Sequence, residues 1–251
     1  MKEKILVVVK TYPNLSKKYE ETVCVAGINE NKEWRRLFPI PFRKLDFKSR
    51  FKKFDIIEVE LEKAKEKLGR KESRHIDFKS IKVIKNIGTQ NKWKQRNELV
   101  LPTKIKSIEE FLVMLKKDKT SIALIKPKEI IDFIFTPLEE CRDWERELIE
   151  GCQRTLFGDY KSPLDKIPIK FSYKFKCDDE SCNEHNLMCE DWELLESWRS
   201  WNYKPEKLLK EKIKQKFFTW MKERDLHFII GTDSHWNKPM VIGLYYPPKQ
   251  K

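Results

Sequence analysis

Residues 177–189 hold three of the chain's six cysteines and one of its four histidines: Cys177, Cys182, His185 and Cys189. Thiolate is a soft ligand and imidazole a borderline one, so this set suits Zn2+ held tetrahedrally by N and S atoms. The spacings C-x4-C, C-x2-H and H-x3-C each leave a turn of two to four residues, short enough for paired ligands to converge on one ion. In a reducing compartment, clustered Cys and His favour a metal over a disulfide. The fourth ligand stays open. Cys189 either completes the shell or faces the core at the start of the next helix, and then Cys152, Asp191 or water takes its place. Four protein ligands make a structural site, whereas three plus water would permit hydrolysis. The run also echoes a plant-type iron–sulfur spacing with one Cys replaced.

A second group of residues suits phosphate. Trp34, Arg35 and Arg36 stand side by side with Arg43 just beyond; Arg70, Lys71 and Arg74 follow, and Trp93 lies between two lysines. Arginine grips phosphate in a planar fork, and aromatic rings stack on bases. The net charge is +13, and it is unevenly spread. Residues 1–130 carry 33 basic and 18 acidic groups, residues 131–191 carry 8 and 15, and residues 192–251 carry 12 and 7. A positive field concentrated in one part of a chain attracts polyanions, nucleic acid foremost. A lysine-rich host proteome would give the same composition with no ligand at all. The lysines of 206–224 need no partner, because an amphipathic helix on a sheet explains them.

Catalytic signals are weaker. Asp191 and Glu193 flank Trp192 beside the knuckle, where acids complement the start of a helix. Asp233 and His235 fall in a polar loop, and 70–75 packs five ionisable groups into six positions. The chain contains no GxxxxGK[ST], GxGxxG or HExxH, and its one E-x-K, Glu30 to Lys32, falls in a turn.

These groups need elements to hold them. Apolar runs and alternation predict strands over 4–12, 21–27, 33–40, 54–61 and 76–84, which suggests a small barrel or curled sheet. Ser107-Ile-Glu-Glu110 reads as a capping box opening a helix, followed by strands at 120–125 and 129–135. Pro137 is expected to open a helix running to Arg154. Strand 169–176 leads into the knuckle, and helices near 190–202 and 205–224 follow. The chain then closes with 226–230 and 240–246, read as a hairpin pairing with strand 169–176. No signal peptide is visible and no stretch approaches eighteen apolar residues, so the expectation is a cytoplasmic protein without a membrane partner.

Lys10-Thr-Tyr-Pro13, Arg36-Leu-Phe-Pro-Ile-Pro-Phe-Arg43 and Cys177-x4-Cys182-x2-His185 with Asp191-Trp-Glu193 together resemble a family of uncharacterised prokaryotic proteins. The resemblance spans most of the chain. It implies that both halves belong together and brings no activity or catalytic residue with it. The resulting expectation is an α+β protein. Residues 1–136 form a basic, strand-rich small barrel or curled sheet, and 137–251 an antiparallel sheet with helices and a zinc knuckle. Nucleic-acid binding (DNA or RNA) with a structural Zn2+ leads. A metal-dependent phosphodiesterase or nuclease, or an adaptor docking a protein through the acidic segment 131–191, are the alternatives.

Overall fold

A computed structural model describes residues 2–16, 20–62, 69–138, 167–232 and 238–250 of the protein. Its first half is a closed barrel. The strands are β1 (Lys2–Lys10), β4 (Val25–Asn29), β5 (Trp34–Phe38), β6 (Asp55–Leu61) and β7 (Ser73–Asn86), with a short hairpin of β2 (Asn14–Ser16) and β3 (Glu20–Thr22) between β1 and β4. The spatial order is β1-β4-β5-β7-β6, closing back on β1. All pairs are antiparallel except β5 with β7. Counted within the barrel, the strands run 1-2-3-5-4. That is the Greek-key order of the five-stranded OB barrel.

Alternation explains the closure. In β6, Ile57 and Val59 point into the barrel while Glu58 and Glu60 point out. Ile5, Val7, Val25, Leu37, Ile76 and Ile81 fill the same interior. Each such side chain contributes about 1.5–3 kcal/mol when fully buried. Strand β1 is apolar on both faces because both are covered: Ile5 and Val7 turn inward, and Leu6 and Val8 turn outward into a second core. Gly27 is required where β4 crosses β1, since a Cβ there would lie 2.3 Å from the Leu6 carbonyl oxygen.

The second half supplies the cover. Strands β8 (Lys104–Ile105), β9 (Ile122–Ile125), β13 (His227–Thr232) and β14 (Pro239–Tyr245) form one sheet in the order β14-β13-β9-β8. Its Ile122, Leu124, Ile229, Ile242 and Tyr245 pack on Leu6, Ala26, Ile28 and Trp34 of the barrel. A second sheet, β10 (Glu129–Pro137), β11 (Ile169–Lys176) and β12 (His185–Met188), shares a third core with three helices. An irregular helix, α1 (Gln90–Val100), precedes them in the chain. The three are α2 (Ile108–Asp118), α3 (Trp192–Trp201) and α4 (Glu206–Lys214), the last continued by a π turn over Gln215–Trp220. Ser107 caps α2 by accepting from the Glu110 amide, and Asp191 caps α3 by accepting from the Glu193 amide. No described helix is long and apolar enough to cross a membrane.

One local expectation changes. The C-terminal hairpin adds to β9 through β13, not to strand 169–176, which is already flanked by β10 and β12. Pro137 ends β10 opposite Ile169, where a strand end tolerates a missing amide donor. The rest of the stretch expected to be helical, from 139 to 154, lies outside the described residues.

Candidate metal centre

Four donors from three elements meet beside the end of β11. Cys177 follows that strand, Cys182 sits in the turn after it, His185 opens β12, and Glu109 comes from the first turn of α2. Their ligand atoms all lie within 4.8 Å of one another, so the group can hold one metal ion. Around His185 Nε2, Glu109 Oε1 stands at 2.9 Å and Cys182 Sγ at 3.4 Å. A tetrahedral ion with bonds of about 2.0–2.3 Å places its ligands roughly 3.5 Å apart, so the 2.9 Å contact would open slightly and separations approaching 4.8 Å would close. The other carboxylate oxygen, Glu109 Oε2, is buried without a hydrogen-bond partner among the described residues. Orphaned buried acceptors are costly, and a cation relieves that cost.

The backbone prepares the site for anions. The Ile108 amide at the start of α2 donates to Cys177 Sγ at 3.5 Å, and the Cys177 amide donates to Cys182 Sγ at 3.1 Å. Helix N-termini favour negative charge. Burial nevertheless pushes the Cys177 thiol up to about 12, and the neighbouring Cys182 and Glu109 add to the rise. The thiol therefore keeps its proton until a metal displaces it. The loop is tied to α2 a second time by Ser107 Oγ, which donates to Asp179 Oδ2 at 3.0 Å.

Cys177, Cys182 and His185 come together as the spacing suggested, but Cys189 does not join them. His185 to Cys189 runs along and just past a strand, which advances about 3.3 Å per residue, so the two are separated by about 13 Å. Cys189 is buried in the core, bridges to Val241, and has its thiol pKa raised by burial. Asp191, another candidate ligand, is held by Lys53, and Cys152 lies outside the described residues. Glu109 carries no sequence signal of its own: the acid of the capping box is Glu110, and no local spacing links residue 109 to 177. The ligand set makes a prediction. Cys189→Ala should keep its metal content, while Cys182→Ala and Glu109→Ala should weaken metal retention, as elemental analysis after dialysis would read.

The residues expected to grip phosphate are mostly engaged within the fold. Trp34 and Trp93 are buried, the latter packed edge-on against Phe54 and Tyr245. Arg35 donates from Nε to both Glu3 oxygens at 3.0 Å and pairs with Glu33. Arg36 is buried and donates to the Ser121 carbonyl at 3.1 Å and to Cys24 Sγ at 3.2 Å. Lys71 pairs with Asp118, and Arg74 donates to the carbonyls of Lys71 and Ser73. Arg43 and Arg70 are half-buried. OB barrels bind oligonucleotides over their second and third strands. Here those are β4 and β5, whose outer face is covered by the C-terminal sheet.

Two family models together cover nearly the whole chain. Residues 1–102 match the model described as Domain of unknown function (DUF8758), and residues 104–251 match Domain of unknown function (DUF8757). No curated protein matches the sequence. Because the second model spans more than half of the chain, the protein belongs to the DUF8757 family, and the stretch matched by the DUF8758 model contains the barrel ahead of it.

Proposed function

We propose that the protein binds nucleic acid through the uncovered basic side of its barrel, with Zn2+ holding the second half together. The observation that carries this reading is Phe47. It is 88 % exposed, in a run containing Arg43, Lys44, Lys48, Arg50 and Lys52 against a single acid, Asp46. The turn that presents it is fixed. Arg50 Nε donates to the Leu45 carbonyl at 3.1 Å, its Nη2 donates to the Arg43 carbonyl at 3.2 Å, and the Ser49 amide donates to the Asp46 carbonyl at 2.9 Å. A ring held in water does no packing within the chain. Beside cations, it offers a base a stacking platform. The turn abuts β7, whose Lys79, Lys82 and Lys85 are exposed.

Two thiolates, an imidazole and a carboxylate suit Zn2+ better than the harder divalent cations. With Glu109 as fourth donor no position remains for water, which favours a structural ion over a hydrolytic one. The adaptor reading rests on the acidic segment 131–191, of which 139–166 lies outside the described residues.

Binding is tested by fluorescence anisotropy with a labelled single-stranded oligonucleotide across a salt series. The expected log–log slope is about −0.7 per phosphate neutralised. Phe47→Ala should cost about 1–3 kcal/mol, roughly 5- to 150-fold in affinity. A flat salt response would remove the proposal.

A further inference from the structure

The run Lys92-Trp93-Lys94-Gln95-Arg96 serves neither the metal centre nor the basic turn. It folds in an uncommon way. Asn91, Lys92 and Trp93 all lie in the left-handed region, with φ of 49°, 52° and 67°, before α1 turns right-handed. Phe54, which meets the Trp93 ring at 5.6 Å, is left-handed too, with φ of 67°. Each such residue costs about 1–2 kcal/mol. Strain of this kind persists where the surroundings hold it, and it gathers at ligand clamps.

The two strained rings hold Arg96. Its Cζ lies 3.8 Å from the ring centre of Phe54 and 4.7 Å from that of Trp93, and the residue is only 7 % exposed. Nε donates to the Ile87 carbonyl at 2.7 Å. Among the described residues, Nη1 and Nη2 have no hydrogen-bond acceptor and no ion pair. Neither is an enclosed atom, so both reach solvent. The rings meet the delocalised charge at Cζ, but they offer no acceptor in the plane of the fork, where Nη1 and Nη2 point their hydrogens. The carboxylate whose charge acts on Arg96 is Glu193, and it is already engaged by Lys53 at 3.8 Å and by the Tyr246 hydroxyl at 2.7 Å.

Rings lead outward from the fork. Tyr246 packs on Trp93 at 5.5 Å and on Trp220 at 5.8 Å. Trp220 ends the π turn, is 37 % exposed, and has Arg224 Cζ 5.1 Å from its ring centre. Beside Arg96, the same helix lines an open cleft of about 530 Å3 with Asn91, Lys92, Lys94 and Asn97, which adds two cations.

An arginine fork open at its edge takes an oxyanion in its plane. An exposed indole within the same run of rings favours a phosphate joined to a flat base over a carboxylate. We infer that this corner is a second contact for a single nucleic-acid strand, with a phosphate on Arg96 Nη1 and Nη2 and a base of that or a neighbouring nucleotide stacked on Trp220. The inference rests on the nucleic-acid reading and extends it. Arg96 precedes the second half and Trp220 belongs to it, so the strand crosses their junction.

The test is fluorescence anisotropy of the full-length protein with a labelled oligothymidylate, with Phe47→Ala as the reference variant. Trp220→Ala should weaken binding by about 5- to 150-fold. Arg96→Gln should flatten the log–log salt slope by about 0.7, the share of one phosphate on a single strand. Arg96→Lys keeps the charge and loses the fork, so it should keep the slope and lose affinity. A merely structural role for Arg96 would leave the slope unmoved. If Phe47→Ala weakens binding while Trp220→Ala binds as the wild type does, or while Arg96→Gln keeps the full slope, the second contact is overturned and the basic turn stands. A flat salt response of the wild type removes both. Should Arg96→Gln lose its fold by circular dichroism, Trp220→Ala decides alone.

Discussion

His185→Ala is expected to release the bound metal and to lower the melting temperature of the protein by about 10 °C. The imidazole sits between Glu109 and Cys182, so its loss removes the donor that the others face. A ligand at a thousandfold excess over its dissociation constant stabilises a fold by about 4 kcal/mol. In a chain of this size each kcal/mol moves the midpoint by about 2–4 °C. The effect should concentrate where the centre ties elements together, namely the β10-β11-β12 sheet and the first turn of α2, and leave the barrel intact. Hydrogen exchange would locate it. A chelator should reproduce the shift in the wild type and do nothing further to the variant. An equal response of both proteins to chelator would mean that the metal binds elsewhere.

The second large effect is expected at the junction. Asp191 is fully buried, and its carboxylate accepts from Lys53, from the Leu244 amide at 3.0 Å and from the Glu193 amide at 2.8 Å. Asp191→Ala leaves the buried Lys53 charge with only the more distant Glu193 carboxylate, at 3.8 Å, and uncaps α3. Breaking a buried pair in this way costs about 3–5 kcal/mol. Lys53 belongs to the barrel while Asp191 and Leu244 belong to the second half, so the loss should appear as the two halves parting. Burial alone would lower the Lys53 pKa, but Asp191 and then Glu193 overcome it and raise it above 10.5. A raised lysine contributes its full stability below the unfolded pKa and loses it only as pH climbs through the folded value. The contribution of Lys53 to wild-type stability should therefore be constant from pH 6 to 9. Urea denaturation of Asp191→Ala, Lys53→Met and the double variant would measure it. A double variant as unstable as the sum of the singles would show that the pair is not coupled.

Much of this organisation is legible in the sequence because its signals are local. The alternation of Asp55–Leu61 and the apolar run of β1 report burial on one face and on two. The capping serine and the C-x4-C-x2-H spacing act within a few residues. What the sequence hides is long-range. Glu109 reaches a loop some seventy residues away in the chain. Trp34 and Arg36 look like a binding face because nothing nearby in sequence says that Ile122, Leu124 and Ser121 will cover them. Cys189 fits a ligand spacing, yet a strand carries it away from the other three donors.

The most direct test of the metal centre counts sulfur around the metal. X-ray absorption at the metal edge of the purified protein should give one ion per chain with two sulfur ligands near 2.3 Å and two lighter ligands near 2.0–2.1 Å, from His185 and Glu109. Three sulfur ligands would bring Cys189 back into the shell and contradict the geometry described for β12. Protein purified without any bound metal, and unable to take up Zn2+, would contradict the centre itself.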